Sequence, residues 1–342
     1  MKVRHVDDTM SAAWDDYLAS KPESSFYHRY EWRRFFTEYF GKETVYLAAV
    51  DADSSIRGVL PLVRMQSLIF GDFYVSLPFV NYGGIVSDAA EAFDCLISEA
   101  SSLATSQGVS HIEYRHVGQD CDFPCRTDKV AMLLDLPGSV DDLSTLLGAK
   151  RRSQIRRPLR ENPVVQFGGD ELLDEFYAVF ARNMRDLGTP VYAKSMFAYL
   201  LEHHCENAKI VTIRIGDRAA AAAFLLHDET RVEIPWASTV REFNKISINM
   251  LLYWEVLKHA IETGRRVFDF GRSTVDSGTY RFKKQWGAQP IQLNWHYWLR
   301  EKGELPQLNP QNPKFRLAVT IWQKLPVAVA NALGPRIVKH LP

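Results

Sequence analysis

Apolar positions along this chain recur with two periods, and the switches between them lay out its elements. Asp8 to Ser20 and Tyr27 to Phe40 carry the three-to-four spacing of helices, the second setting Trp32, Phe35, Phe36 and Tyr39 against Arg33, Arg34 and Glu38. Thr44 to Val50 and Ile56 to Arg64 alternate as a hairpin turning through Asp51 to Ser55. An extended aromatic stretch, Phe73 to Val86, is interrupted by Pro78 and Gly83-Gly84. Helix Ala89 to Ser106 leads through Gly108 into a strand, Ser110 to Val117. The second half repeats the order: helices at Glu171 to Leu187 and Lys194 to His204, a hairpin from Lys209 to Leu226 turning at Gly216-Asp217, a strand Arg231 to Ser238, a helix Ser247 to Thr263 and a strand from Val267.

One short match supports the repeat. In GVSHIEYR, from Gly108, and GRRVFDFG, from Gly264, an aliphatic or aromatic residue, an acid and an aromatic follow the glycine at the same offsets. With the shared order of elements, this predicts an α/β (α+β) chain built from two copies of one unit. The expected boundaries are 1–147 for the first unit, 148–300 for the second and 301–342 for a helical tail.

Composition narrows the class. At 342 residues and 46% hydrophobic content the chain suits two globular domains. Its 41 basic and 41 acidic side chains cancel, so DNA is not an expected partner and any polyanion needs a local patch. Cys95, Cys121, Cys125 and Cys205 lack the paired spacing of a zinc module, and a helix turns the adjacent His203 and His204 roughly 100° apart, so no metal site is expected. His111 and His116 flank a strand and read as ordinary histidines. No secretory signal pattern opens the chain, and its longest apolar run, Ala219 to Leu226, reads as a buried strand. A reducing cytoplasm is the expected compartment.

The two copies differ where chemistry is expected. Val267 to Pro290 reads as strand, polar loop and short cationic helix, with Phe268 and Phe270 on one side of the strand and Asp269 on the other. Phe282 and Trp286 lie four apart, so the helix buries one face and presents Tyr280, Lys283 and Lys284 on another. His116 to Lys129, after the first strand, has no such helix. The catalytic centre is therefore expected in the second copy. Arg272 and Arg281, in the same loop and helix, are further substrate-binding candidates.

Three other stretches carry candidate binding residues. In GAKRRSQIRRPLREN, Arg152 and Arg156 are four apart, which makes either a solvated charged face or a phosphate-binding pair. Asn183 and Tyr192 in NMRDLGTPVY sit at a helix end, or else in a substrate-facing loop. Trp236 stands beside Pro235 near the end of a strand. There is no nucleophile elbow, P-loop or G-x-G-x-x-G opening a helix.

RSQIRR, ARNMRDLGTPVY, EIPWAS, NMLLYWEVL, FDFGRS, DSGTYRFKKQWGAQP and the tail LNPQNPKFRLA resemble the FemAB-related proteins over almost the whole chain. The resemblance is closest to the FemAB-like members that accompany exosortase and PEP-CTERM exopolysaccharide systems. It implies a tandem pair of GNAT-like acyltransferase units, each a mixed twisted sheet flanked by helices. It also implies an amide-forming transferase, since better-known Fem members move an amino acid from aminoacyl-tRNA to a peptidoglycan precursor. The implied donor is an activated acyl co-substrate, aminoacyl-tRNA or acyl-CoA, with no tightly bound cofactor; the implied acceptor is a small or lipid-linked glycan or peptide precursor.

The family's aromatic-Lys-x-x-aromatic-Gly signature falls on Phe282, Lys283, Trp286 and Gly287, and so implies Lys283 as the catalytic cation. An ammonium aimed at the oxyanion of the attacked ester or thioester contributes several kcal/mol. Asp269, Asp276 and Tyr280 are the candidates for steering the amine's proton, and the sequence does not choose among them. Where a GNAT enzyme using acyl-CoA carries a glycine-rich turn, this chain reads REFNKISINM, which favours another carrier. The coiled-coil arm of some Fem proteins is absent too, so tRNA is not secured as a partner. A catalytically silent scaffold in polysaccharide assembly is the contrasting expectation.

The tail from Leu305 is basic, with Lys314, Arg316, Lys324, Arg336 and Lys339, and sets Phe315, Leu317, Ala318, Ile321, Trp322 and Leu325 at helical spacing. It reads as a helix packed back on the second unit, or as an amphipathic segment resting on the inner membrane leaflet.

Overall fold

The computed structural model describes residues 1–67, 71–301, 303, 305 and 313–341, without the side chains of 313–316. In chain order the strands are β1 (Lys2–His5), β2 (Thr44–Val50), β3 (Ile56–Ser67), β4 (Gly71–Val75), β5 (Val86–Ser87), β6 (His111–Val117), β7 (Cys125–Arg126), β8 (Lys129–Asp135), β9 (Val164–Gly168), β10 (Ala208–Ile215), β11 (Arg218–His227), β12 (Arg231–Thr239), β13 (Val267–Thr274) and β14 (Gln289–Leu299). The α-helices are α1 (Ser11–Ala19), α2 (Trp32–Arg34), α3 (Ala90–Ser106), α4 (Val140–Leu146), α5 (Gly148–Arg156), α6 (Leu173–Leu187), α7 (Lys194–His203), α8 (Ile248–Glu262), α9 (Gly278–Lys284), α10 (Pro313–Trp322) and α11 (Val327–Val338).

Unit 1 comprises 1–130, 291–307 and 340–342. Its strands run in the order β1, β2, β3, β4, β6, β14, with β5 on β3 and β7 on β14. β4 and β6 are parallel, and β6 and β14 antiparallel. Alternation along β2 divides the packing: Tyr46 meets Trp14 of α1 at 5.1 Å, whereas Leu47 joins Leu96, Ala100 and Ala104 of α3. Alanines on α3 bring that helix close to the sheet, where a Cβ on Gly58 would come within 3.1 Å of Leu96 and 3.3 Å of Ala92.

Unit 2 comprises 131–290 and 308–339, with strand order β8, β13, β12, β11, β10, β9. Phe176 and Phe180 of α6, Phe197 of α7 and Phe224 of β11 form one aromatic core at 4.9 to 5.8 Å. Tyr253 of α8 stacks on Phe270 at 5.6 Å. The apolar run from Ala219 lies in β11 and is buried from Ala220 to Leu226, as its pattern predicts.

These units follow contact and not chain order, which differs from the single cut expected at 147/148. The long strand that follows β6 in the first copy and β13 in the second changes sheets: β8 pairs in unit 2 beside β13, and β14 pairs in unit 1 beside β6. Neither strand is legible from periodicity, since KVAMLLD is a short continuous apolar run and β14 opens on Gln289 and Pro290.

The tail helices pack within unit 2. Gly334 of α11 touches the backbone of Val191, Gly188 touches Val319 of α10, and Arg185 Nη1 donates to the Leu325 carbonyl at 2.6 Å. The outer positions are left uncovered: Leu317 and Ile321 on α10, and Val329, Leu333 and Ile337 on α11, are exposed. So the stripe expected to be buried is divided, with Trp322 and Leu325 partly covered while Leu317 and Ile321 face out. The tail motif's first residues, 308–312, and the side chains of Lys314, Phe315 and Arg316 lie outside the described residues. No described helix is long and apolar enough to cross a membrane.

Candidate active site

The site forms where β12 and β13 part. They pair in parallel over three positions only, Arg231, Val232 and Glu233 against Val267, Phe268 and Asp269. Beyond Glu233 the register of β12 on β11 shifts, and Pro235 has no N–H to give a neighbouring strand. Two acids thus stand side by side at the last paired position. Both are buried, Asp269 completely. Cross-strand partners share a face, and Phe224 and Leu226 are two apart on β11. Glu233, opposite Leu226, therefore lies on the side where Trp236, opposite Phe224, meets the Phe197 ring of α7.

Two buried acids need compensation. The Asp269 carboxylate accepts the Gly271 N–H at 2.7 Å. Gly271 has φ +70°, a left-handed conformation in which a side chain is strained, and its carbonyl and that of Arg272 accept two N–H groups of Lys283 at 3.2 and 2.8 Å. The lysine arrives from α9, whose first turn Ser277 caps by accepting the Tyr280 N–H at 3.2 Å, and whose Phe282 is held against Tyr253 at 5.0 Å. Lys283 is only 8% exposed. Burial lowers its pKa to about 8; the Asp269 and Glu233 carboxylates pull upward, and the Arg272 guanidinium adds to the lowering.

This corrects one expectation. Lys283 does not lie on the exposed side of the short helix with Lys284; it turns in toward the end of β13, and Tyr280 is half-buried with Lys284 over its ring at 5.5 Å. Tertiary carbonyls and carboxylates draw the ammonium in, and spacing along one helix does not register them.

The other candidates fall into separate groups. Asn183 donates to Ser238 of β12 at 3.1 Å, and Tyr192 meets Trp236 edge-on at 6.0 Å, so these three line β12 on the α6 and α7 side. Trp236 also packs on Phe197 and Phe224. Asp276, Arg272 and Arg281 are exposed in the loop and on α9. Arg152 donates to the Ser144 carbonyl at 2.9 Å and so ties α5 to α4. Arg156 is exposed beside Arg157, which donates to the Lys245 carbonyl at 3.4 Å in the turn before α8. Glu233 is the residue that sequence reasoning missed. Its signal was an acid between Val232 and Ile234 in the EIPWAS segment.

Comparison places this geometry in a known class of fold. Residues 149–284 match the family model described as acetyltransferase (GNAT) domain, which takes in the acids, the lysine and the turn before α8. No curated protein matches the chain. Among solved structures, FemX is 14% identical with a TM-score of 0.66, covering 86% of this chain and 97% of its own. L-PGS from Bacillus licheniformis is 15% identical with a TM-score of 0.53, covering 94% and 99%. A tandem GNAT protein from the clavulanic acid biosynthesis pathway is 12% identical with a TM-score of 0.53, covering 89% and 100%. The fold is therefore α/β with two GNAT-like units, as the internal repeat and the family resemblance together predicted, and is shared with FemX, L-PGS and the tandem GNAT protein.

Proposed function

We propose that the chain is an N-acyltransferase of the aminoacyl-transferring, Fem type, forming an amide on a cell-envelope or exopolysaccharide precursor. The observation that carries this reading is the buried Lys283 ammonium, held by two carbonyls at the parting of β12 and β13. Two of its three N–H groups are spent on those carbonyls; the third is assigned to the oxyanion formed when the acceptor amine attacks the donor ester. The new C–N bond replaces the C–O bond to the carrier, whose oxygen leaves with a proton. The acid pair takes the proton lost by the amine and passes it to the departing carrier oxygen; of the three proton-handling candidates this role is assigned to Asp269, which stands beside Glu233. Asn183, Tyr192 and Trp236 bind the acceptor, and Arg156 holds donor phosphate near the start of α8.

Support for an aminoacyl carrier over acyl-CoA comes from the turn Arg241–Ile246, which lacks glycine and ends on Ser247 at φ +64°, a residue with a side chain where backbone amides must face pyrophosphate. The fold likeness to FemX and L-PGS and the sequence resemblance to exosortase-associated proteins agree with it. The test is mass spectrometry of envelope and polysaccharide precursors from cells with the protein, without it, and with Lys283→Met. An aminoacyl or other acyl mass increment present only with the unaltered protein is expected. Identical precursors in all three leave the silent scaffold standing. An acyl-CoA enzyme is the second reading, and micromolar CoA binding by calorimetry would promote it.

A further inference from the structure

Unit 1 holds a second group of chemistry-bearing side chains, drawn from β6, the loop after it and β14. His116 is the last residue but one of β6 and His296 lies on β14, opposite Tyr114 and hence diagonal to His116 on one sheet face. Both rings are buried, at 1% and 0% exposure, and their Nδ1 atoms face each other at 3.0 Å. The loop after β6 turns at Gly118 (φ +67°) and brings Cys121 back over them. One nitrogen of each ring and the Cys121 sulfur all lie within 4.8 Å of one another. The other nitrogen of His296, Nε2, faces the Asp120 carboxylate at 3.3 Å.

Protons decide what the cluster is for. With Nε2–H of His296 directed to Asp120, its Nδ1 presents a lone pair. A hydrogen bond from His116 Nδ1 to that lone pair leaves His116 Nε2 as a buried acceptor, and Nε2 has no partner among the described residues. In the other tautomer two lone pairs converge at 3.0 Å, an arrangement that a cation held between them relieves. A carboxylate behind one imidazole, a second imidazole and a thiol are the donor set and outer-shell support of a borderline-soft divalent ion. A ligating distance of about 2.0 to 2.3 Å asks only that the loop settle by roughly 1 Å.

We propose that His116, His296 and Cys121 bind one Zn²⁺, with Asp120 orienting His296. The fourth position belongs to water from the adjoining cleft of about 600 Å³, which Gln119, Asp120, Cys121 and Asp122 line against Phe93 and Asp94. That cleft is the ion's entry path. Periodicity and motif spacing pass over the site because its two histidines are 180 residues apart.

Full-length protein stripped with a chelator and titrated with Zn²⁺ against a chromophoric competitor tests this. One ion per chain is expected, and Co²⁺ in its place should give a near-ultraviolet thiolate charge-transfer band. Cys121→Ser should abolish that band, Cys125→Ser should keep it, and Asp120→Asn should weaken Zn²⁺ binding about 10- to 100-fold. No stoichiometric Zn²⁺ binding by the unaltered protein overturns the proposal. So does a Co²⁺ band that survives Cys121→Ser or is lost only with Cys125→Ser.

Discussion

Glu113 of β6 and Asp269 of β13 occupy the same place in the two copies, five residues after Gly108 and Gly264, yet their charges are handled in opposite ways. Glu113 is closed off. Arg115, two residues on, bonds it at 2.7 Å, Tyr297 donates to it at 2.8 Å, and the same guanidinium is spent on the carbonyls of Leu77 and Val80 and on the ring of Trp295. Its neighbour on the parallel strand is Val75. Asp269 has Gly271 where Glu113 has Arg115, and Glu233 where it has Val75. Its counter-cation comes instead from a helix beyond a loop, with burial lowering its pKa. One copy has used its acid to lock a strand to a loop; the other keeps a second buried acid beside it and a buried lysine facing the pair.

The largest effect expected from breaking this contrast is on activity. Lys283→Met keeps the stem that packs in α9 and removes the ammonium, and should lower product in the precursor assay about 10²- to 10³-fold with the fold retained by circular dichroism. Full activity in a folded Lys283→Met protein would remove the lysine from the mechanism. In unit 1 the converse holds. Arg115→Met leaves a buried carboxylate unpaired, and should cost about 3 to 5 kcal/mol in chemical denaturation while leaving turnover per folded molecule unchanged. Loss of turnover at unchanged stability would mean that the first copy carries chemistry too.

The pH response sharpens the same comparison. Lys283 titrates at about 8 in the folded chain against an ordinary 10.5, so an activity that needs the ammonium falls as pH rises through 8. For stability the sign is opposite. Between about 8 and 10.5 the unfolded chain holds a proton that the folded one has released, so this group's contribution rises with pH across that window and is constant below it. Urea midpoints at pH 7.5 and 10 should therefore shift toward the unaltered protein relative to Lys283→Met. A difference that does not move with pH would place the lysine's titration elsewhere.

Much of this contrast was legible beforehand, and the limits have physical causes. The hairpins at β2 with β3 and β10 with β11, helices α3, α6 and α8, and the two echoed strands follow from alternation and turn residues. The aromatic-lysine signature pointed to Lys283. What local pattern does not encode is pairing between distant segments. The changes of sheet by β8 and β14, Glu233 beside Asp269, and His116 beside His296 all depend on register across strands far apart in the chain. Burial of Lys283 was invisible for the same reason: its partners are the backbone of Gly271 and Arg272.

The tail sets the smallest expected effect. Its inner side is anchored by glycine contacts at Val191 and Val319, so it does not depend on a lipid surface to be covered. Its outer side still joins five exposed aliphatic residues to exposed Lys324, Arg336 and Lys339 with no acid between Leu305 and Pro342. Each cation near anionic lipid adds about 1 kcal/mol, and aliphatic side chains entering the interface add to that. We propose weak, salt-sensitive association with anionic membranes, which would bring the active site to a lipid-linked acceptor. Flotation with anionic vesicles should recover more of the unaltered protein than of a variant carrying Leu317→Ser, Ile321→Ser and Leu333→Ser, and neutral vesicles should recover little of either. These positions are exposed, so the variant is expected to remain folded. Equal recovery of the two proteins on anionic vesicles would leave the outer face of the tail without a membrane role.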